Sequence, residues 1–339
     1  MVLAGRGAVD ELRAALAAQR ALIEPRWQGD GIEWVETTGS GPTAALAPFD
    51  WDVGLPLPSP KRFFFPPRET LLRWHGDAVE EVLPAPRPFA LFGLRSCDVT
   101  AIAYQDRFFA ADPAYVRRRA AAFLVVVQCR TACAGGFCVD VDAGPFASSG
   151  FDLALTLLSD ERVLLEVGSA EGAAAIAAAR LRTEPADART RTIRGEVEAA
   201  ARASFPPRPF IARARARLDA GEIRDEEWQA LGPACLACTG CTSLCPTCSC
   251  FTMTDEVAAG GGERVRYWDS CLLEGFQREA SGHHPAPRPG DRVRRFWYHK
   301  LSADFVREFG RVGCVGCGRC DVTCPGSIGA LRVLERLGA

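Results

Sequence analysis

Two stretches of this sequence carry the same cysteine run. Cys235, Cys238, Cys241 and Cys245 stand in CLACTGCTSLCP, and Cys314, Cys317, Cys320 and Cys324 in CVGCGRCDVTCP. Both read C-x-x-C-x-x-C-x-x-x-C-P, the known run of bacterial two-cluster ferredoxins. The spacing constrains the fold because three thiols at i, i+3 and i+6 on a curling loop converge on three irons of one cubane. The fourth thiol is expected to open the following helix, point away and reach the other cluster. The proline after it suits a first helical turn, where no N–H is needed. One 4Fe-4S cluster is therefore expected on Cys235, Cys238, Cys241 and Cys324. A second is expected on Cys314, Cys317, Cys320 and Cys245. Zinc is the alternative, but structural zinc takes two separated C-x-x-C pairs, not three evenly stepped cysteines and a fourth before proline.

The rest of the composition narrows the setting. The 339 residues include 15 cysteines, an odd count, and the N-terminus has no signal-peptide core. A disulfide framework is thus disfavoured and a cytoplasmic location expected. Net charge is −2, from 40 basic and 42 acidic residues, so neither nucleic acid nor an anionic membrane surface is indicated as a partner. The longest strongly apolar run, Ala120 to Val127, is far too short to span a membrane.

The expected fold class is α+β: an N-terminal α/β domain, residues 1–228, then a two-cluster ferredoxin-like domain, residues 229–339, with a large insertion at 251–312. Val9 to Leu22 has helical apolar spacing. Residues 40–68, rich in Pro, Gly and aromatics, read as ordered but irregular. Phe89 to Leu94 and Phe123 to Gln128 read as buried strands, with helices at Asp98 to Phe109 and Ala114 to Ala122. Phe151 to Leu157 and Arg162 to Val167 read as a strand pair, followed by a helix from Glu171 to Leu181. Strands alternating with helices imply the α/β domain. Residues 182–228 read as a helical connector. Within the insertion, Ala259 to Glu263 reads as a flexible turn and Leu301 to Phe309 as helical.

Several segments, in this order, resemble a known family. KRFFFPPRETL (61–71), FGLRSCD (92–98), QCRTACAGGFC (128–138) and GFDLALTLL (150–158) come first. CPTCSCFTMTDEV (245–257), RVRYWDSCLLEGF (264–276), SGHH (281–284), HK (299–300) and GCVGCGRCDVTCPGSIG (313–329) follow. Together they look like the iron–sulfur beta subunit of cytoplasmic NAD(P)-linked nickel–iron hydrogenases, the sulfhydrogenases. One of the subunits of anaerobic sulfite reductase is a close relative of that family. The resemblance implies an electron-transfer subunit. Its implied partners are an FAD-containing diaphorase subunit handling NAD(P)H and the small and large nickel–iron hydrogenase subunits. One departure is visible: where relatives usually carry Cys-Phe-Cys, this chain has Gly136-Phe137-Cys138, with Cys133 earlier.

Seven cysteines lie outside the two runs. Cys97 follows the first buried strand and Cys129 ends the second. If these strands are parallel neighbours, both thiols emerge at the carboxyl edge, where such sheets place ligands. With Cys133 and Cys138 on the next loop they suffice for a third 4Fe-4S cluster, and Asp98 offers an oxygen in place of Cys133. Buried free thiols are the plain alternative. Cys248, Cys250 and Cys271 are candidates for a further cluster, with His283 or Asp269 as fourth ligand, or for packing around the neighbouring cubane. The basic and aromatic stretch from Arg292 to Lys300 suggests donors near a cluster or a partner face.

No G-x-G-x-x-G follows a strand, and there is no Walker loop, H-E-x-x-H or Ser-His-Asp order. The chain has electron carriers without an evident substrate site, which implies a wire between other subunits. Membership of a sulfite reductase complex, and a self-contained enzyme using an open-coordinated cluster of the α/β domain, are the alternatives that the sequence leaves open.

Overall fold

The computed structural model describes residues 1–37 and 49–339. Of the irregular segment expected at 40–68, residues 40–48 lie outside the described residues. The chain forms twelve described strands: β1 Val2–Ala4, β2 Ala21–Gln28, β3 Gly31–Thr37, β4 Arg68–His75, β5 Ala78–Glu81, β6 Phe89–Leu94, β7 Ala122–Val127, β8 Leu153–Leu157, β9 Val163–Val167, β10 Thr183–Pro185, β11 Phe251–Ala258 and β12 Gly261–Trp268. It divides into two compact units, each built from three pieces of chain. The fold is mixed α and β, as expected. Among the described residues no helix is long and apolar enough to cross a membrane.

The first unit comprises Met1–Pro58, Pro86–Ala103 and Arg119–Pro206. Its sheet runs in the order β10-β1-β9-β8-β7-β6-β2-β3. The centre is parallel: β2 pairs with β6, β6 with β7 and β7 with β8. Every residue of β6 and β8 is buried, and their sequences, FALFGL and LALTL, are apolar on both faces as an internal strand requires. Helix Ala8–Ala17 lays Val9, Leu12 and Leu16 against Phe92, Phe123, Val125 and Leu155. The helix expected over Val9 to Leu22 stops at Ala17, and Leu22 and Ile23 enter β2. Pairing with β6 claims Ala21, Leu22 and Ile23 for the strand, and Pro25 keeps its predecessor Glu24 in extended backbone.

The second unit comprises Ser59–Ala85, Tyr104–Arg118 and Pro207–Ala339. Its sheet runs β11-β12-β4-β5, antiparallel throughout. The insertion thus contributes a hairpin, β11 and β12, around the turn at Gly260. It also contributes helix Pro289–Leu301, which buries Val293, Phe296, Trp297, Lys300 and Leu301. The helix expected from Leu301 onward begins later and is short. Ser302 sits in extended backbone and starts a 3-10 turn, Ala303–Phe305, that leads into Val306–Phe309.

One buried ion pair anchors the first unit. Arg13 on the N-terminal helix donates through Nε to Glu24 Oε1 at 2.6 Å and through a terminal nitrogen to Oε2 at 2.8 Å. Both side chains are fully buried, and Arg26 and Thr37 also donate to Oε2. Removing one partner leaves a desolvated charge, so Glu24→Ala should destabilise the protein by about 3–5 kcal/mol in a urea titration. A loss below about 1 kcal/mol would mean that Asp10, which also accepts from Arg13, carries the charge alone.

Candidate metal centres

Both cysteine runs fold alike. The second and fourth positions after the first cysteine are left-handed: Ala237 (φ 50°) and Thr239 (φ 62°) in one run, Gly316 (φ 61°) and Gly318 (φ 76°) in the other. Alternating right- and left-handed residues turn a short loop into a concave cradle, which brings thiols three residues apart to the same side. Glycine takes this conformation freely, whereas Ala237 and Thr239 each take it at a cost of roughly 1–2 kcal/mol. Each loop enters a short helix, Gly240–Leu244 or Arg319–Thr323. Cys245 and Cys324 end these helices in extended backbone instead of opening the next ones. The proline that follows is the cause, because it disfavours helical backbone in the residue before it.

Cys235, Cys238, Cys241 and Cys324 line one cavity, with Leu236, Leu272, Val293, Phe296, Trp297 and Ile328 among its other walls. Three thiols of the first run and the last of the second therefore share a site. Burial pushes the Cys241 thiol up to about 12, and Cys245, Cys324, Cys235 and Cys238 add to the rise. Around the second set, burial pushes Cys314 up to about 12, with Cys317 and Cys245 beside it. Cys317 is raised by burial, opposed by Arg319, with Cys245 again a neighbour. Cys320 is raised by burial and by Asp321, Cys314 and Cys317.

Thiols this buried are costly to ionise alone and bind as thiolates when a cationic iron–sulfur core compensates them. Backbone donors are already aimed at the sulfurs. The N–H of Gly316 reaches Cys314 Sγ, that of Ala330 reaches Cys320 Sγ and that of Ile328 reaches Cys324 Sγ, each at 3.4 Å. An all-thiol donor set with amide donors on its sulfurs fits an iron–sulfur cluster. Among the described residues, no three Cys, His, Asp or Glu side chains close to the spacing of a single bound ion.

A polar network surrounds Cys245. Lys300 Nζ donates to Thr247 Oγ1 at 2.9 Å, and Thr247 Oγ1 donates to the carbonyl of Gly313 at 2.6 Å while lying 3.3 Å from Cys245 Sγ. The N–H of Cys314 donates to the Lys300 carbonyl at 2.8 Å. Lys61 Nζ donates to the carbonyls of Thr242 and Cys248 at 2.9 and 3.3 Å and lies 4.1 Å from the Trp268 ring centre. Both ammonium groups are buried. Burial holds Lys61 below its ordinary value. It opposes charge on Lys300 as well, but Cys245, Cys248, Tyr104 and Cys250 together hold that lysine above its usual range.

In the sequence Lys61 stands only within the segment KRFFFPPRETL (61–71), and Lys300 only within HK (299–300) and the basic stretch, with no role of its own implied for either. A compositional signal was available. Of the 40 basic residues, Lys61 and Lys300 are the only lysines, and the other 38 are arginine. A chain that uses arginine everywhere else keeps the compact ammonium at two buried positions beside one thiol group.

The remaining candidates divide. The Cys248 thiol hydrogen-bonds to Cys245 and so holds it well below its usual range. The Cys271 thiol bonds to Cys250, which falls to about 6. His283 is exposed, and its contacts are made by backbone, its N–H donating to Ser281 Oγ and its carbonyl accepting from Glu279. Asp269 receives the N–H of Ser270.

In the first unit, β6 and β7 are parallel neighbours, so Cys97 and Cys129 follow the same sheet edge. Cys97 and Cys138 are buried, Cys129 and Cys133 half-buried. Burial raises Cys129, with Arg95 and Asp98 beside it. Glycines make room for two of these sulfurs. A Cβ on Gly144 would meet Cys138 Sγ at 2.7 Å, and one on Gly136 would meet Cys133 Sγ at 2.5 Å. Cys133 thus delivers its sulfur to the space that a side chain at 136 would occupy.

Comparison with known proteins gives three findings. The family described as a 4Fe-4S dicluster domain matches residues 234–328. Sulfhydrogenase 2 subunit beta of Pyrococcus furiosus is 32% identical over 289 residues, 82% of this chain and 82% of that protein. No solved structure matches.

The shared cavity generates a test. In Cys324→Ser, the signal of the cluster attached to the first run should weaken while Cys317 and its neighbours keep theirs. Cys245→Ser should do the reverse, read by iron content and by the electron paramagnetic resonance of each reduced cluster. Loss confined to the run that carries the substitution would contradict the exchange.

Proposed function

The chain belongs to the family of sulfhydrogenase beta subunits, and on that premise we propose that it passes single electrons within a hydrogenase-type complex. The observation that carries this reading is the cavity in which Cys324 joins Cys235, Cys238 and Cys241. The ligand sets we propose are those four residues for one 4Fe-4S cluster and Cys245, Cys314, Cys317 and Cys320 for the other. The mutual proximity of the second four, seen in their electrostatic neighbours, supports that pairing.

When bound, the clusters supply one-electron redox chemistry. The chain's own residues hold, insulate and bias them. The paired left-handed loops fix the thiols before metal arrives. Leu236, Leu272, Val293, Phe296, Trp297 and Ile328 give the first site apolar walls, although Cys238 keeps one side open to solvent. The amide donors stabilise the charge that an added electron brings. The proposed neighbours are a flavin subunit that exchanges electrons with NAD(P)H and a nickel–iron module, the two-electron sites between which a one-electron wire is useful.

A third cluster in the first unit is part of the proposal. Cys97 and Cys129 follow the carboxyl ends of β6 and β7, Cys133 and Cys138 lie on the loop after β7, and the cradles at Gly136 and Gly144 support their use as ligands.

The full chain, purified without oxygen, should bind about eight irons in the second unit and about four more in the first. Cys129→Ala or Cys138→Ala should remove about four and leave the rest. Zinc without acid-labile sulfide would overturn the proposal. The chain alone should accept electrons from dithionite yet neither oxidise NAD(P)H nor take up hydrogen. Isolation from its native host should bring a flavoprotein and a nickel–iron pair. A sirohaem protein in their place would assign the chain to sulfite reduction, and an active lone monomer would end the wire reading.

A further inference from the structure

The two cluster sites differ in electrostatics. Around Cys235, Cys238, Cys241 and Cys324, the cavity lining contains no charged side chain. Around Cys245 and Cys314 the reverse holds. Lys300 is 3% exposed and Lys61 is 4% exposed. Among the described residues neither lysine forms an ion pair with a carboxylate, and Cys245 and Cys248 are the two largest favourable influences on each. An ammonium buried without a carboxylate needs another source of negative charge. A thiolate-bound cluster supplies it, and reduction supplies more.

We infer that the two clusters have unequal potentials and that Lys300, with Lys61, makes the one on Cys245, Cys314, Cys317 and Cys320 the first to accept an electron. The inference rests on the two-cluster reading above. Reduction adds one negative charge, and a fixed positive charge nearby stabilises the reduced form. Lys300 is fixed on both sides of its site: its ammonium holds Thr247 against Cys245, and its carbonyl holds the N–H of Cys314. Amide donors act in the same direction. Three of the thiols in this set, Cys314, Cys317 and Cys320, receive an N–H, against Cys324 in the other set.

Solvent opposes this order. Cys238 is exposed, and water also stabilises added charge there, whereas burial around Cys314 disfavours it. Asp321, 3.7 Å from Cys320 Sγ, opposes the order too, but the buried Arg319 that bonds to Cys317 offsets that carboxylate. The two buried ammonium groups, in a poorly screened interior, outweigh water reaching one edge of the other site. Lys300 is therefore a positioning and tuning residue, and it touches no substrate. In electron transfer the Cys245 site becomes the place where an electron rests, and the Cys235 site the step uphill from it.

The test is a redox titration of the full chain, followed by electron paramagnetic resonance, with Cys324→Ser and Cys245→Ser assigning the two signals. Iron and sulfide content comes first, because fewer than about eight irons in the wild type would fail the two-cluster reading itself. With both clusters present, the Cys245 cluster should reduce first. Lys300→Met keeps the side-chain bulk and removes the charge. It should lower the reduced-to-oxidised ratio of that cluster at least tenfold at fixed potential, about 59 mV for one electron. Lys61→Met should shift it the same way, and both should move the Cys235 cluster less. First reduction at the Cys235 cluster in the wild type would overturn the inference. So would a Lys300→Met protein with both clusters and unchanged potentials. Should a variant lose its cluster, the wild-type order still decides.

Discussion

Bringing sulfur atoms to one point from a short loop is the constraint on which the second unit depends. An ordinary extended loop alternates its side chains, and a helix spreads residues three apart along one stripe. The two runs escape both by placing left-handed residues at matched positions, Ala237 and Thr239 against Gly316 and Gly318. Each cradle leads into a short helix that a Cys-Pro step cuts off, so the last thiol of each run lies beyond the loop that began it. Glycine packing closes the arrangement. A side chain at Gly326 would collide with the carbonyl of Ala234, and one at Gly329 would collide with Asp321. Asp321 in turn receives the N–H groups of Leu331 and Arg332 and so caps the C-terminal helix Ala330–Leu337.

What was legible in the sequence was what repeats or alternates. The doubled cysteine spacing pointed to the paired loops, and the fully apolar runs FALFGL and FLVVV were readable as internal strands because both faces of such strands are covered. Local signals of conflicting period were harder. Val9 to Leu22 carries a helical stripe that runs on into residues later claimed by β2, and only Pro25 marks the change. The hairpin β11–β12 was hard to read because most of β11 faces solvent, Met253 and Val257 included, so no apolar face marks it.

The lysines were illegible for a different reason. Burial of a charged side chain is a property of the tertiary structure, and no local pattern at Lys61 or Lys300 announces it. The two are 239 positions apart in sequence and meet the same thiols only when the second unit forms. A count by residue type, lysine against arginine, would have found them, whereas total basic charge concealed them. Gln105 belongs with them: its amide donates to the carbonyls of Pro246 and Cys248, tying a third distant piece of chain to the same segment.

The wall of the cavity at Cys235 is completed by Cys324, which stands 83 positions after Cys241. A ribosome adds about 5–20 residues per second, so the early thiols of that wall are made roughly 4–17 seconds before their last companion. The cavity cannot exist in that interval, however well the first loop is shaped. With the ligand set proposed above, metal delivery would wait on the second run, and until then the early thiols would stand open to oxidation or to the wrong ion. On that ligand set, a cell making this protein would need a reducing interval before the cluster is complete.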